Sequence, residues 1–233
     1  MMKIAIMQPY LFPYLGYFQL INAADKFAIY SHVQYIKKGW INRNKILVNN
    51  HEKLFSFSIR KASYTDTIKE KYFDANIKTE FSKFLIMLHF SYKKALFFYE
   101  TYNLIEEILN YDDFNVSNFI LNSLHKICGY LNIQTPILDL ASIENNSINR
   151  SERVIILCNL MESNHYINSI GGVELYDKTF FEDNGISLNF LKTRSIEYHQ
   201  FGNIFVPNLS IIDIMMFNSI DRIHEMLNNF ELI

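Results

Sequence analysis

The first thirty residues constrain the fold most, because strand-like and helix-like patterns alternate there within a very short distance. Residues 3–8 (KIAIMQ) form an apolar run that Pro9 ends, which is typical of a buried strand. Helical spacing follows over residues 17–24, and residues 27–30 (FAIY) predict a second strand. Strand, short helix and strand make a βαβ unit, which sets two parallel strands side by side.

The remaining residues predict a larger α/β body around this unit. Residues 44–59 alternate about an Asn-Asn turn, which predicts a β-hairpin. Residues 79–131 are helical in pattern, with breaks near Ser91 and at residues 112–113. The α/β pattern returns after Pro136. Strands are predicted at residues 137–140, 165–169 and 186–191. Helices are predicted at residues 151–161 with Ser151 as N-cap, in a short stretch that ends at residues 184–185, and in the region from Ser210 onward. We therefore predict a Rossmann-like parallel sheet with a central, mostly helical subdomain and a β-hairpin.

This order of elements divides the 233 residues into three consecutive parts. Residues 1–75 hold the βαβ unit and the hairpin, residues 76–135 the helical subdomain, and residues 136–233 the α/β elements that complete the sheet. A chain of this length can bury one large core. We expect the three parts to form one integrated domain.

Composition excludes several classes of protein. A net charge of −2 and a pI near 6.4 provide no field for general nucleic-acid binding. No run of 18 apolar residues exists, and the first residues lack a signal-peptide pattern, so we predict no membrane span and a cytoplasmic protein. Cys128 and Cys158 lie in apolar, helix-like stretches and are expected to be buried thiols. The seven histidines lack metal-ligand spacing, so no metal is expected.

The loop after the first predicted strand, residues 8–17 (QPYLFPYLGY), is a candidate ligand platform. Two prolines stiffen it, and Gly16 lets the backbone approach a partner closely. Polar Gln8 ends a buried strand, and Tyr14 and Tyr17 offer rings. The alternative is a rigid turn with packed aromatic side chains.

A second candidate stretch follows the second predicted strand, at residues 30–44. It combines the single tryptophan of the chain with a histidine, cations and amides. Such donors among aromatic rings suit an anionic, ring-bearing ligand such as a nucleotide-sugar, whereas a solvated basic loop is the alternative. Because both loops leave parallel strands at one edge, we expect six side chains to converge there: Gln8, Tyr14, His32, Gln34, Trp40 and Arg43.

Two further stretches carry weaker signals. Gly171 and Gly172 follow a predicted strand and could offer backbone N–H groups to an anion, with Glu174 nearby, although an ordinary tight turn explains them equally well. Asn208 and Asp213 lie near a predicted helix start, where capping by Ser210 and Asp213 is the alternative to a binding role.

Several runs of this sequence strongly resemble the WbqC-like protein family. The N-terminal run from Ile4 to Ile46 carries the specific part, IAIMQPYLFPYLGYFQLINAADKFAIYSHVQYIKKGWINRNKI, and YINSIGGVELYD, GISLNFLK and YHQFGNIFVPNLSIIDIMMFN match toward the C-terminus. The resemblance implies a protein of O-antigen or capsule biosynthesis that attaches glycyl or related acyl groups to amino sugars. One departure concerns the residues after the second strand. The family tends to carry acidic residues there, whereas this chain has Ser31 and His32.

A weaker resemblance in fold connects the chain to the nucleotidylyltransferase superfamily that includes pantothenate synthetases. Residues 13–17 (PYLGY) stand in the place of the HIGH-type motif, with Tyr17 where a histidine is usual. No KMSKS-like loop follows, which puts ATP chemistry in doubt.

These observations lead to an acyl- or aminoacyltransferase that forms an amide on the amino group of a dTDP- or UDP-linked deoxyamino sugar. In this hypothesis His32 is the general base, and Gln34, Asn42 or a backbone N–H stabilises the oxyanion. Further predicted contacts are the diphosphate ligands Lys37, Lys38 and Arg43 and the stacking residues Tyr14, Tyr17 and Trp40.

The sequence leaves the acyl donor open among acyl-CoA, a carrier-bound acyl group, an aminoacyl-tRNA and an acid activated by ATP. The oligomeric state is open as well, a homodimer included. Two alternative functions remain: a non-catalytic nucleotide-sugar-binding partner of a glycosyltransferase, and an ATP-dependent ligase of the pantothenate synthetase type.

Overall fold

The computed structural model describes residues 2–61, 63, 65–140, 143, 149–202 and 204–233. The described strands form a six-stranded sheet and a separate two-stranded hairpin. The strands of the sheet are β1 (Lys3–Met7), β2 (Lys26–Ile29), β5 (Ile137–Asp139), β6 (His165–Ser169), β7 (Ser187–Thr193) and β8 (Phe230–Leu232), and those of the hairpin are β3 (Arg43–Val48) and β4 (His51–Ser56). The helices are α1 (Leu15–Ala23), α2 (Ile77–Tyr92), α3 (Phe98–Leu109), α4 (Val116–Tyr130), α5 (Arg150–Leu160), α6 (Lys178–Asp183), α7 (Ile211–Phe217) and α8 (Ile220–Leu227).

The strand order of the sheet is β5-β2-β1-β6-β7-β8. All neighbouring pairs are parallel except β7 and β8. Counted along the sheet strands alone, this is the order 3-2-1-4-5-6 of the doubly wound dinucleotide-binding fold. The mixed α/β class and the mostly parallel sheet predicted from the sequence are thereby confirmed.

Both faces of the sheet are buried, as a parallel sheet requires. On one face Ala5 and Phe27 pack into a large core that also contains α1 and the three central helices. On the other face Ile4 and Ile6 pack against Val154 of α5 and against α6. The alternation of the β1 side chains between the two cores explains why this strand reads as a continuous apolar run.

Several local predictions are confirmed by the structure. The hairpin turns at Asn49 and Asn50, whose φ values of 50° and 63° match a type I′ turn. The central helices end and restart close to the predicted breaks, and Gly185 follows α6 with a φ of 73°. Cys128 and Cys158 are free thiols, and burial raises the pKa of each to about 12.

Two local predictions were wrong. Ser151 does not cap α5, because the helix begins one residue earlier and Asn149 Oδ1 accepts hydrogen bonds from the backbone N–H groups of Ser151 and Glu152. The segment after α8 is strand β8 rather than more helix. Its three residues are too few to produce a period, and pairing with β7 decides their conformation.

Candidate functional site

The strand order reverses between β1 and β6, which makes this pair the topological switch point of the sheet. The chain leaving β1 and the chain leaving β6 turn to opposite faces there, because the helices that follow them, α1 and α6, cover different faces. A crevice opens between the carboxyl ends of the two strands. Ligands of doubly wound proteins bind in this position.

A cavity of about 770 Å³ occupies this crevice. Its walls come from the ends of β1, β2 and β6, from the segments that follow them, and from the start of α5. Six aromatic residues line it: Tyr10, Tyr14, Tyr30, Trp40, Tyr166 and Tyr176. The polar and charged lining residues are Gln8, Gln34, Arg150, Arg153, Asn168 and Ser169, together with Gly171 and Gly172. No acidic residue belongs to the described lining, so the cavity combines ring surfaces with positive charge.

The loop after β1 is held by buried hydrogen bonds from distant parts of the chain. Phe12 has a φ of 46°, a left-handed conformation that is uncommon for a bulky residue. Its carbonyl oxygen accepts from Asn44 Nδ2 at 2.7 Å and from Ser210 Oγ at 2.7 Å. These bonds fix the path of the loop and thereby the positions of Tyr10 and Tyr14 in the cavity wall.

Tyr17 lies beneath the cavity and does not line it. Its side chain is buried, and its hydroxyl donates to the backbone carbonyl of Gln8 at 2.9 Å. The ring also packs beside Tyr10, with 5.7 Å between the ring centroids. Tyr17 therefore supports the first loop from within the core. Gly16, the residue before it, lies in α1 against the ring of Tyr14.

Arg43 holds Trp40 at the cavity, within the second loop (residues 30–44). The Arg43 guanidinium donates from Nε to the Gly39 carbonyl at 2.8 Å and also donates to the Lys38 carbonyl. It lies over the Trp40 ring, 5.4 Å from the centroid. Arg43 is therefore a brace for the turn that carries Trp40, and it lies outside the cavity lining.

The segment after β6 approaches the cavity with its backbone. A Cβ atom on Gly172 would lie 2.4 Å from Asn168 Nδ2, so any other residue here would require the Asn168 side chain to move. Glu174 is exposed and outside the lining, whereas Leu175 and Tyr176 belong to it. The packing of Asn168 against the turn explains the glycine without a ligand.

The cavity tyrosines are neutral hydrogen-bonding groups. Burial raises the pKa of Tyr10, Tyr14, Tyr30, Tyr166 and Tyr176 above the ordinary value of 10.0. Neutral phenols can donate hydrogen bonds to a ligand but cannot act as bases near pH 7. The cavity is therefore rich in donors.

Asp213 is fully buried and belongs to a separate polar cluster. Its carboxylate accepts hydrogen bonds from Tyr92 Oη at 2.7 Å, Tyr198 Oη at 2.6 Å and Gln200 Nε2 at 2.8 Å. Burial raises the pKa of Asp213, and these three donors oppose the shift. Three donors around two oxygens suit the ionised carboxylate, which only accepts hydrogen bonds. The cluster connects α2, α7 and the segment before α7.

The family pattern of the WbqC-like proteins matches residues 8–225, which include both loops, the start of α5 and the Asp213 cluster. The chain belongs to the WbqC-like protein family. It is 28 % identical over 219 residues to the uncharacterized protein Rv1507c of Mycobacterium tuberculosis, covering 92 % of this chain and 93 % of that protein. No solved structure matches the chain significantly.

The other residues that the sequence singled out in this WbqC-like chain lie outside the large cavity. His32 is next to its wall, with its ring centroid 6.1 Å from that of Tyr30 and its Nε2 3.4 Å from Lys69 Nζ. Lys37 is exposed and borders a different depression, and Lys38 is exposed with a φ of 63°. Asn208, with a φ of 57°, borders a smaller cavity of about 240 Å³ that shares Tyr10, Tyr14 and Trp40 with the large one.

Asn42 has a structural explanation for its side chain. Its Nδ2 donates to the Phe57 carbonyl at 2.6 Å, and its Oδ1 accepts from Tyr35 Oη at 2.9 Å. These bonds fasten the second loop to the chain that leaves the hairpin. A role at a reaction centre would require breaking them.

Arg150 and Arg153 are the charged cavity residues that sequence reasoning missed. They come from the start of α5, and each is an ordinary surface residue of an amphipathic helix when read from the pattern alone. The available signal was topological: α5 precedes β6, so its first turn lies near the crevice at the switch point.

Two other features are absent from the part of the chain that the structure describes. Its side chains form no group of three or more histidine, cysteine or acidic residues that could hold a metal ion. None of its helices has the length and apolar character that crossing a bilayer requires.

Proposed function

We propose that this WbqC-like chain is a cytoplasmic transferase that forms an amide on the amino group of a dTDP- or UDP-linked deoxyamino sugar of O-antigen or capsule biosynthesis. The observation that carries the binding part is the cavity at the switch point, which is lined by aromatic rings and two arginines and by no described acidic residue. The amide-forming part rests on the family resemblance.

The cavity suits the two halves of such a substrate. Rings of Tyr14 and Trp40 offer flat surfaces for a base or sugar, and base–aromatic stacking contributes about 1–3 kcal/mol per base. The arginines offer charge-assisted hydrogen bonds to phosphate oxygens. A volume of about 770 Å³ lies within the usual range for small-molecule sites.

The transfer step needs a neutral amine and donors for the oxyanion that develops on the acyl carbonyl. Gln34 lines the cavity and is an amide donor, as are the neutral tyrosine hydroxyls. For the base we retain His32, whose ring centroid lies 6.1 Å from that of Tyr30 and which would have to turn toward the cavity, since it is not part of the lining. The acyl donor stays open among acyl-CoA, a carrier-bound group, an aminoacyl-tRNA and an ATP-activated acid.

One observation favours a second candidate, a nucleotide-sugar-binding partner of a glycosyltransferase without chemistry of its own. The described lining of the cavity contains no histidine, cysteine or carboxylate. A ligase of the pantothenate synthetase type has less support, because Tyr17, in the place of the motif histidine, is buried and bonded to Gln8.

Ligand-induced stabilisation tests the binding part. We expect dTDP and UDP to raise the Tm, because a ligand at a hundredfold excess over its Kd adds about 2.7 kcal/mol to stability. For a chain of this length that corresponds to roughly 5–10 °C. CoA and ATP are tested in parallel. No shift with either dTDP or UDP at millimolar concentration would remove the nucleotide-sugar from the proposal.

Mass spectrometry of a nucleotide-linked amino sugar, incubated with each acyl donor, tests the transfer. We expect an acylated product with one donor, and His32→Ala is expected to reduce turnover about a hundredfold or more if His32 is the base. His51→Ala, on the exposed start of β4, is the matched control. Binding without product from any donor would favour the partner protein, and full turnover of His32→Ala would exclude His32 as the base.

A further inference from the structure

The start of α5 brings two arginines to one wall of the large cavity. Arg150 and Arg153 are three residues apart, so they are neighbours on the same side of the helix. Both line the cavity. The N-terminus of an eleven-residue helix adds the positive end of the helix dipole at the same place.

A second observation at this wall is independent of the helix. Tyr30, at the end of β2, is only 5 % exposed and lines the cavity. Its buried hydroxyl has no hydrogen-bond partner among the residues that the structure describes. Buried hydroxyls are nearly always hydrogen-bonded, so an oxygen atom of a ligand in the cavity would be a suitable acceptor for this one. The Arg153 guanidinium is close enough to lower the pKa of this phenol against the rise that burial causes.

The neighbouring groups identify the kind of acceptor. A ligand atom at this wall meets guanidinium groups, a phenolic donor and the helix N-terminus, all of which prefer an anion. Tyr176 also lines the cavity, and the positive charges of Arg150 and Arg153 oppose the rise that burial causes in its pKa. Phosphate oxygens satisfy every one of these groups.

We infer that Arg150, Arg153 and Tyr30 form the diphosphate subsite of the cavity, an assignment that rests on the proposed function for the identity of the whole ligand. The cations of the second loop, which the sequence suggested for this role, are then not needed. Arg43 braces Trp40, and Lys37 faces a different depression. The rings of the two N-terminal loops are left for the base or sugar.

Titration calorimetry of the full chain with dTDP, UDP and inorganic pyrophosphate tests the assignment. We expect Arg153→Ala to weaken binding of a nucleoside diphosphate about tenfold to a hundredfold, and Arg150→Ala, at a more exposed position, to weaken it less. Lys37→Ala is the matched control, an exposed cation outside the cavity, and should bind like the wild type. Arg153→Lys should recover only part of the affinity, because lysine cannot form a bidentate pair.

Tyr30→Phe separates binding from folding. It removes a buried hydroxyl without a partner, so we expect an unchanged or higher Tm together with severalfold weaker binding. A purely structural tyrosine would change neither affinity nor its salt dependence.

The possible outcomes distinguish this assignment from the proposed function. If dTDP binds and Lys37→Ala loses it while Arg153→Ala does not, the proposed function stands and the subsite is overturned. If pyrophosphate binds through Arg153 but neither dTDP nor UDP binds, the subsite stands and the proposed substrate class fails. If no phosphate compound binds the wild type, both are wrong.

Discussion

Tyr92→Phe is expected to destabilise the chain more than any other loss of one hydroxyl from the Asp213 cluster. The Tyr92 hydroxyl is fully buried and has two partners. It donates to Asp213 Oδ1 at 2.7 Å and accepts from the backbone N–H of Leu47 at 2.7 Å. Phenylalanine fills the same space but removes both bonds.

The two losses have separate magnitudes. A hydrogen bond to a charged group contributes about 1.5–3 kcal/mol, and a buried N–H left without an acceptor costs about 1–3 kcal/mol. Tyr92→Phe should therefore reduce the free energy of unfolding by about 2.5–6 kcal/mol. Tyr198→Phe is the comparison, because its hydroxyl donates to the same carboxylate at 2.6 Å but accepts no backbone N–H. Its expected loss is about 1.5–3 kcal/mol.

Urea unfolding at pH 8, followed by circular dichroism, measures both differences. A double variant distinguishes the shared part, since the two hydroxyls donate to one carboxylate and their effects should not add. Equal losses in the two single variants would show that the Leu47 N–H does not depend on Tyr92. A loss below about 1 kcal/mol in Tyr92→Phe would refute the reasoning about the buried carboxylate as a whole.

Two further predictions concern pH and the first loop. Because burial raises the folded-state pKa of Asp213 above 3.8, the stabilisation linked to its protonated form is complete below 3.8 and is lost as pH rises through the folded value. The stability advantage of wild type over Asp213→Asn should therefore shrink with rising pH in urea titrations from pH 4 to 8, and parallel profiles would contradict it. In Gly16→Ala the new Cβ would lie 2.6 Å from Tyr14 Cε2, so the ring must move and nucleotide binding should weaken severalfold with little change in Tm. Gly129→Ala, at an uncrowded site in α4, should leave binding unchanged, and unaltered affinity in Gly16→Ala would show that the position of Tyr14 does not matter.

The sequence predicted the elements far better than it predicted which side chains share a site. Strand β1, the hairpin and the central helices have strong periods or turn residues, and their local patterns agree with the final fold. The end of the chain is different: β8 has three residues, and its pairing partner lies about forty residues earlier. Short segments whose conformation depends on a partner carry little local signal.

Prediction of the site residues from the sequence is limited because the sequence does not give the direction in which each side chain points. The βαβ unit predicts one crevice for both loops, and Gln8, Tyr14, Gln34 and Trp40 line the same cavity. Arg43, from the same stretch, turns back to the carbonyls of its own loop. From the sequence alone, Arg43 could equally bind a ligand or hydrogen-bond to the backbone of its own loop. The three-dimensional path of the backbone decides which of the two roles it has. Arg153 lies on α5, and the periodicity of this helix predicts which of its residues are buried. It does not predict which of them lie beside the crevice.

The loop at Phe12 is held by two residues that are synthesised at very different times. The Phe12 carbonyl is held by Asn44 and by Ser210, which is 198 residues away. During synthesis from the N-terminus, β1 and α1 are exposed long before Ser210 has been added. The loop that carries Tyr10 and Tyr14 therefore gains its second buried hydrogen bond only when Ser210, at the start of α7, has docked. We expect a chain that is truncated before Ser210 to hold Tyr10 and Tyr14 less firmly in the cavity wall.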